Sequence, residues 1–324
     1  MPRLRFAWLV LLPMLALAAA PARAWDHRGH QAIGSIADRL IAGTPAAARV
    51  RELLAGDLQT ASVWADCARA VAATPDGWRY ANAGSQAACA PFETADGRSG
   101  LVDFVARNER HRSWHYTDIS IAQPRYDAAL PGARPADLVQ AIGAALAVLQ
   151  GGRSPPPFDI AGAREALRLL AHFVGDLHQP LHVGSIYLGD AGQPIDPTTA
   201  QQAAAQANAG GNLITLDGRN LHATWDDTPD ALSSALASSA GLARARQVPP
   251  TAGPLDRWPA AWADDTLAAA RQAFDGLQFE PRAGAGWPAR ADETGYRQRR
   301  EALQQAQLVK AGARLAQVLA ALWP

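Results

Sequence analysis

A chain of 324 residues that is 48% apolar can bury one large core or two smaller ones, and its 30 basic side chains are matched by 30 acidic ones. That balance excludes a protein held to nucleic acid by a basic surface, so an anionic substrate must be drawn by a local site such as bound metal. Beyond residue 24 no stretch is long and apolar enough to span a bilayer, which predicts a soluble product with no membrane role.

In chain order, residues 1–24 read as an export signal. Arg3 and Arg5 form a positive start, Phe6 to Ala20 is apolar, and Ala22-Arg23-Ala24 supplies a small-x-small cleavage pattern. The apolar run of about 15 residues ends at Pro21, short of the roughly 20 that a spanning helix needs. The mature chain is therefore expected to begin at Trp25 and to run over 25–324 as one domain, periplasmic or secreted. Removal of the signal takes three arginines and leaves 27 basic against 30 acidic side chains. Cys67 and Cys89 are the only cysteines, and export predicts a disulfide between them; two buried free thiols are the alternative.

Ile33, Ile36, Ala37, Leu40 and Ile41 mark an amphipathic helix over about 28–42, with His30 on or near its inward face. Further helices are predicted over 45–55, 61–73, 100–110, 135–150, 162–179, 228–245, 258–276 and 290–321, so the fold class is mainly α. Gly151-Gly152 through Pro155-Pro156-Pro157 reads as a turn, and 189–211 as a surface loop. Residues 213–221, with Asp217-Gly218 at the centre, read as a short β-hairpin.

The histidines gather beside aspartate and tryptophan. His172 and Asp176 stand one helical turn apart and share a face, the spacing that ligands to neighbouring metals require. Pro180 ends or kinks that helix, so His182 can turn to the same cavity. His222 and Asp226 repeat the spacing after the hairpin; Asp66, His115 and His30 each lie close to a tryptophan. Taken singly, a histidine on an apolar face is more often a hydrogen-bonded core residue than a ligand. Together these residues offer only imidazole nitrogen and carboxylate oxygen, a set that suits zinc.

In this order Trp25-(x)4-His30, Trp64-Ala-Asp66, Trp114-His115, His172-(x)3-Asp176-(x)5-His182 and His222-(x)3-Asp226 resemble the ligand series of the zinc-dependent single-strand nucleases of the S1/P1 type. Gly210-Gly211-Asn212 and the closing Ala311-Gly312-x-Arg314-Leu315-Ala316 look like that family too. The resemblance implies a mostly helical single domain with three zinc ions. Asp66, His115, His172 and Asp176 would hold one; His182, His222 and Asp226 a second; and His30, Asp176, and the α-amino nitrogen and carbonyl oxygen of Trp25 the third. It leaves His27, His111 and His178 as structural or surface residues. It also gives Arg69 to a phosphate oxygen, Tyr116 to base stacking and Asp118 to the base edge, with Leu188 and Asp190 aligned more loosely beside them.

The expected activity is endonucleolytic hydrolysis of single-stranded DNA and RNA to 5'-phosphorylated products, with release of phosphate from 3'-mononucleotides, by a monomer. A zinc phospholipase C, which shares the N-terminal tryptophan and the ligand order, is the nearest rival; its last ligand is typically a glutamate, whereas Asp226 stands here. A zinc-storage protein without catalysis would explain the ligands and leave Arg69 and the aromatic slot without use.

Overall fold

The computed structural model describes residues 25–81 and 87–324, so the export signal expected over 1–24 lies outside the described residues. Helix α1, His27–Ile41, starts where the Asp26 carboxylate accepts a hydrogen bond from the Gly29 amide at 3.0 Å, satisfying one of the first-turn amides that has no intrahelical partner. Its stripe of Ile33, Ile36, Ala37 and Ile41 is buried. α2, Pro45–Leu54, has Thr44 as its cap and proline at its start, and ends at Ala55 in the left-handed region.

The single helix expected over 61–73 is two short ones, α3, Leu58–Ala61, and α4, Trp64–Ala68, followed by an antiparallel hairpin of Val71–Thr74 with Gly77–Tyr80. The reason is local: Pro75-Asp76-Gly77 is turn chemistry, and Gly77 takes a φ of 114° that closes the hairpin. The disulfide is formed between Cys67 on α4 and Cys89 on the following 3-10 turn, with Cα atoms 5.6 Å apart.

The remaining helices are α5, Ala95–Arg107; α6, Leu138–Leu149; α7, Ala163–Leu177; α8, Ala200–Ala205; α9, Leu221–Asp226; α10, Asp230–Ala237; α11, Ser239–Arg246; α12, Trp258–Phe274; and α13, Glu293–Leu322. The expected helix over 228–245 is thus divided, because the Ser238 hydroxyl accepts from the Gly241 amide at 3.1 Å and starts a new helix. The stretch 189–211 contains α8 and a short strand, Pro194–Ile195, paired with Tyr187–Leu188.

The main core forms where α1 lies along α13 and α6 along α7. Gly312 permits the first approach, since a Cβ there would sit 2.7 Å from the Ile36 side chain. From Leu169 to Leu177 every residue of α7 is buried, so this helix runs through the interior and carries His172 and Asp176 there. The predicted hairpin is present as Ile214–Leu216 and Arg219–Asn220, with Asp217 and Gly218 both at positive φ, as a twisted two-residue turn requires. It extends into a four-stranded sheet because Trp287–Arg290 pairs in parallel with Ile214–Leu216 and antiparallel with Gln278–Phe279. A smaller core of Ile186, Leu188, Ile214, Trp225, Phe274 and Trp287 lies against this sheet. Among the described residues no helix is long and apolar enough to cross a membrane.

Candidate metal centre

Five segments far apart in sequence bring their side chains to the buried end of α7. α1 contributes His30, α4 Asp66, the 3-10 turn His111–His115 its last residue, the 3-10 turn Pro180–His182 its last residue, and α9 both His222 and Asp226. Asp176 is central. Its Oδ2 lies 2.9 Å from His115 Nδ1 and 3.1 Å from His172 Nε2, while its Oδ1 lies 3.3 Å from His30 Nε2 and 3.8 Å from His182 Nδ1. The two oxygens thus face different histidines, as a bridging carboxylate does. Asp66 Oδ1 approaches His172 Nε2 and His115 Nδ1 at 3.9 and 4.0 Å. On the other side, His222 Nε2 lies 3.2 Å from His182 Nε2 and 3.3 Å from Asp226 Oδ2.

Backbone carbonyls orient the rings. Nδ1 of His172 donates to Ser62 O at 2.7 Å, that of His182 to His115 O at 2.7 Å, and that of His222 to Gly210 O at 2.6 Å. A carbonyl can only accept, so Nδ1 carries a proton in each ring and Nε2 is the atom turned toward the other donors. His182 Nε2 and His222 Nε2 face each other 3.2 Å apart with a carboxylate beside them, an arrangement that requires a proton or a metal cation between them. The buried atoms His30 Nε2, His115 Nε2, Asp176 Oδ1 and Asp226 Oδ2 have no hydrogen-bond partner, although buried polar groups ordinarily have one. Three sets of donor atoms lie within 4.8 Å of one another: Asp66, His115 and His172; His182, His222 and Asp226; His30, His172 and Asp176. The donor chemistry, the orphaned atoms and the opposed ring nitrogens together fit divalent metal. The first two sets are drawn from the ligand groups implied by the resemblance, and the third adds His172, whose ring stacks on His30 at 3.9 Å, to the expected pair.

Charge follows the same pattern. Burial alone would raise the Asp176 carboxyl, but His172, His115 and His30 hold it well below the usual range. Burial lowers His30 and His115, and brings His182 down to about 4, so these rings are neutral and free to coordinate. Burial also pushes Asp226 well above the ordinary carboxylate value, against the hydrogen bond from Gln179 at 2.7 Å. A cation beside Asp226 reverses that direction.

Gly175 makes room for the assembly, since a Cβ there would meet His30 Nδ1 at 2.8 Å. Trp25 is fully buried; its Nε1 donates to Gly175 O at 3.0 Å, while the Asp26 amide donates to Asp226 O at 2.9 Å. Arg28 reinforces this by pairing with Asp26, Asp227 and Asp230. Residue 25 is therefore held between the segments that carry Asp176 and Asp226.

The donors open on a cleft of about 270 Å³, at the small end for ligand sites. His115, His182 and His222 form part of its wall, and Arg69, Arg112, Tyr116, Asp118 and Arg134 are its other charged or aromatic residues. Arg69 also lies 3.4 Å from Asp66. Leu188 and Asp190 are not in this lining: Leu188 is buried in the smaller core, and Asp190 is exposed and pairs with Arg282. A larger hollow of about 700 Å³, beside Asp38, Arg51 and Asp57, contains none of the donors. His27 is exposed, His111 packs edge-on against Phe104, and His178 is held between Val174 O and Arg314, so none of the three joins a donor set. Sequence inspection missed Gln179, Arg112 and Arg134; only Gln179, inside the His172–His182 motif, carried a local signal.

The family profile described as S1/P1 Nuclease matches residues 25–323. Endonuclease 4 of Arabidopsis thaliana is 42% identical over 67 residues, 19% of this chain and 16% of that protein, so the alignment spans a small part of either.

Proposed function

This chain belongs to the S1/P1 nuclease family, a hydrolytic and metal-dependent group acting on nucleic acid, and from that premise we propose that it is a zinc-dependent endonuclease for single-stranded DNA and RNA. Its products carry 5'-phosphates, and it also releases phosphate from 3'-mononucleotides. The observation that supports this best is the convergence of His and Asp donors around Asp176 at the floor of an arginine-lined cleft.

In this proposal one zinc is held by Asp66, His115, His172 and Asp176, a second by His182, His222 and Asp226, and a third by His30, Asp176 and the amino nitrogen and carbonyl oxygen of Trp25. Zinc in these places supplies activation of water near neutral pH and neutralisation of phosphate charge. Arg69 grips a non-bridging phosphate oxygen with its planar fork. Tyr116 offers a ring face to an unpaired base, a contact indifferent to most base identities, and Asp118 accepts from the base edge. Bases paired in a duplex cannot enter such a slot, hence the preference for single strands.

Residues 1–24 act as an export signal, and the domain begins at Trp25. Cleavage converts the Trp25 nitrogen from an amide, whose lone pair is delocalised, into an amine that can coordinate. The enzyme is therefore completed outside the cytoplasm, periplasmic or secreted, and works as a monomer.

The test is a zinc-loaded panel of single-stranded DNA, RNA, duplex DNA, a 3'-mononucleotide and phosphatidylcholine. Rapid cleavage of the single strands and the mononucleotide, with slow cleavage of duplex, is expected. Turnover of phosphatidylcholine with intact oligonucleotides would replace this proposal with a zinc phospholipase C.

A further inference from the structure

Among the cleft groups that are not metal donors, three stand together and have chemistry complementary to a nucleobase: the Tyr116 ring, the Asp118 carboxylate and the Arg134 guanidinium. Arg134 joins them. Its Nη2 donates to Asp118 Oδ2, its Nη1 donates to the Tyr116 hydroxyl at 3.2 Å, and its Cζ lies 4.5 Å from the Tyr116 ring centroid. The backbone fixes this arrangement. The Asp118 amide donates to Gly132 O at 3.3 Å, the Leu138 amide to Tyr116 O at 3.2 Å, and the Tyr187 hydroxyl to Asp118 O at 2.6 Å. Gly132 takes a φ of 96°, and a Cβ there would lie 2.1 Å from Asp118 O, so the segment bearing Arg134 is seated directly on the backbone of Asp118. The guanidinium is also partly open to the cleft, its side chain being 38% exposed.

We propose that Arg134 sets the base preference of this nuclease and that the favoured base is guanine; this rests on the reading of the cleft as the base slot. The slot presents an acceptor, Asp118, and a forked donor, Arg134, side by side. Guanine answers both in bidentate fashion: N1–H and N2–H are adjacent donors for a carboxylate, and O6 and N7 are adjacent acceptors for a guanidinium. Adenine and cytosine offer one amino group beside a ring nitrogen whose lone pair faces the carboxylate. Uracil and thymine offer one N–H flanked by two carbonyls. A base that binds takes Asp118 from Arg134, and only guanine gives two adjacent donors to the carboxylate together with two adjacent acceptors to the released fork.

The test uses the zinc-loaded chain beginning at Trp25 and two sets of dinucleoside monophosphates, one varying the 5' base and one the 3' base, each against uridine. In wild type, guanine at one of the two positions should raise kcat/KM about tenfold over uracil, chiefly through KM, the scale of one bidentate contact. Arg134→Ala should reduce that ratio to about twofold or less. Arg134→Lys, which keeps the charge and loses the fork, should do nearly the same and guards against a folding defect, as a circular-dichroism melt will show. Calorimetric titration with guanosine 5'-monophosphate and uridine 5'-monophosphate, which are products rather than substrates, gives the same comparison without turnover. Absence of turnover on every dinucleotide would overturn the nuclease reading, whereas turnover with all bases within twofold in both assays would overturn only the role of Arg134. A guanine preference that survives in both variants would overturn that role as well.

Discussion

Gly175→Ala tests whether His30 stands where it does to hold a metal. A methyl at this position would lie 2.8 Å from His30 Nδ1, 3.0 Å from Cε1 and 3.1 Å from Ile33 Cδ1. The imidazole is rigid, fully buried and stacked on His172, so it cannot yield as a flexible chain end would. Overpacking of this kind costs about 1–3 kcal/mol, and the absence of slack points to the upper end. Alanine recovers about 1 kcal/mol of helix propensity, which leaves a net loss of about 2 kcal/mol, or about 3 °C in Tm for a domain of this size. The distinguishing effect is on metal: zinc content should fall from three to two per chain by inductively coupled plasma mass spectrometry, because a displaced His30 no longer faces Asp176. Gly143→Ala is the control, also within a helix but with nothing within 4 Å of its Cβ; it should keep all its zinc and gain about 1 kcal/mol. A Gly175→Ala protein with wild-type zinc content and wild-type melting would refute the assignment of His30 as a ligand held in a close-fitting place.

Arg69→Ala should keep its zinc and lose turnover, while Tyr116→Ala should keep turnover and weaken oligonucleotide binding by about 1–3 kcal/mol, the range for one stacking platform; unchanged KM in the latter would move the base slot elsewhere. One extra residue before Trp25 should remove zinc from the His30 and Asp176 position with most of the activity, and proteolytic trimming to Trp25 should restore both; equal activity of the extended and trimmed chains would exclude the terminal amine as a ligand. An α-amine has a reference pKa of about 7.7–8.0, so zinc has only a weakly held proton to displace. In the chelated protein, stability should fall as pH drops below about 6.5. His111 is lowered by burial to about 3, so between these values the unfolded chain binds a proton that the folded chain refuses, contributing up to about 1.4 kcal/mol per pH unit. Asp38, raised by burial to about 6, opposes this between about pH 4 and 6, and urea melts of Asp38→Asn should show the steeper acid loss. A flat profile in that variant would contradict the burial argument.

What could be read from the sequence divides by distance along the chain. His172 with Asp176 and His222 with Asp226 were legible because a helix fixes residues four apart on one face, whatever surrounds it. That these pairs meet each other, and meet Asp66 and His115, depends on how α7 packs against α1 and α4, which no local spacing specifies; resemblance supplied it. The same division explains the errors in the fold. The hairpin at Asp217-Gly218 is local and was found, whereas its parallel pairing with Trp287–Arg290 joins segments about 70 residues apart and was not. Pro75-Asp76-Gly77 was a readable turn signal, but the helix expected over 61–73 was carried up to it through residues that form the first strand of the hairpin, Val71–Thr74.

Leu188 shows the finest limit. Successive residues in a strand point to opposite faces, so a displacement of one position exchanges slot for core. In Tyr187–Leu188 it is the Tyr187 hydroxyl that reaches Asp118 O, while Leu188 goes to the smaller core with Ile214 and Trp287. Arg134 was unreadable for a related reason. It lies in the irregular run before α6, and its place over Tyr116 is set by a left-handed glycine two residues earlier. Candidate metal donors on helices are thus visible in sequence because their backbone is regular. The groups proposed to choose among substrates stand on the irregular segments between helices, where only the folded chain shows which side chains meet.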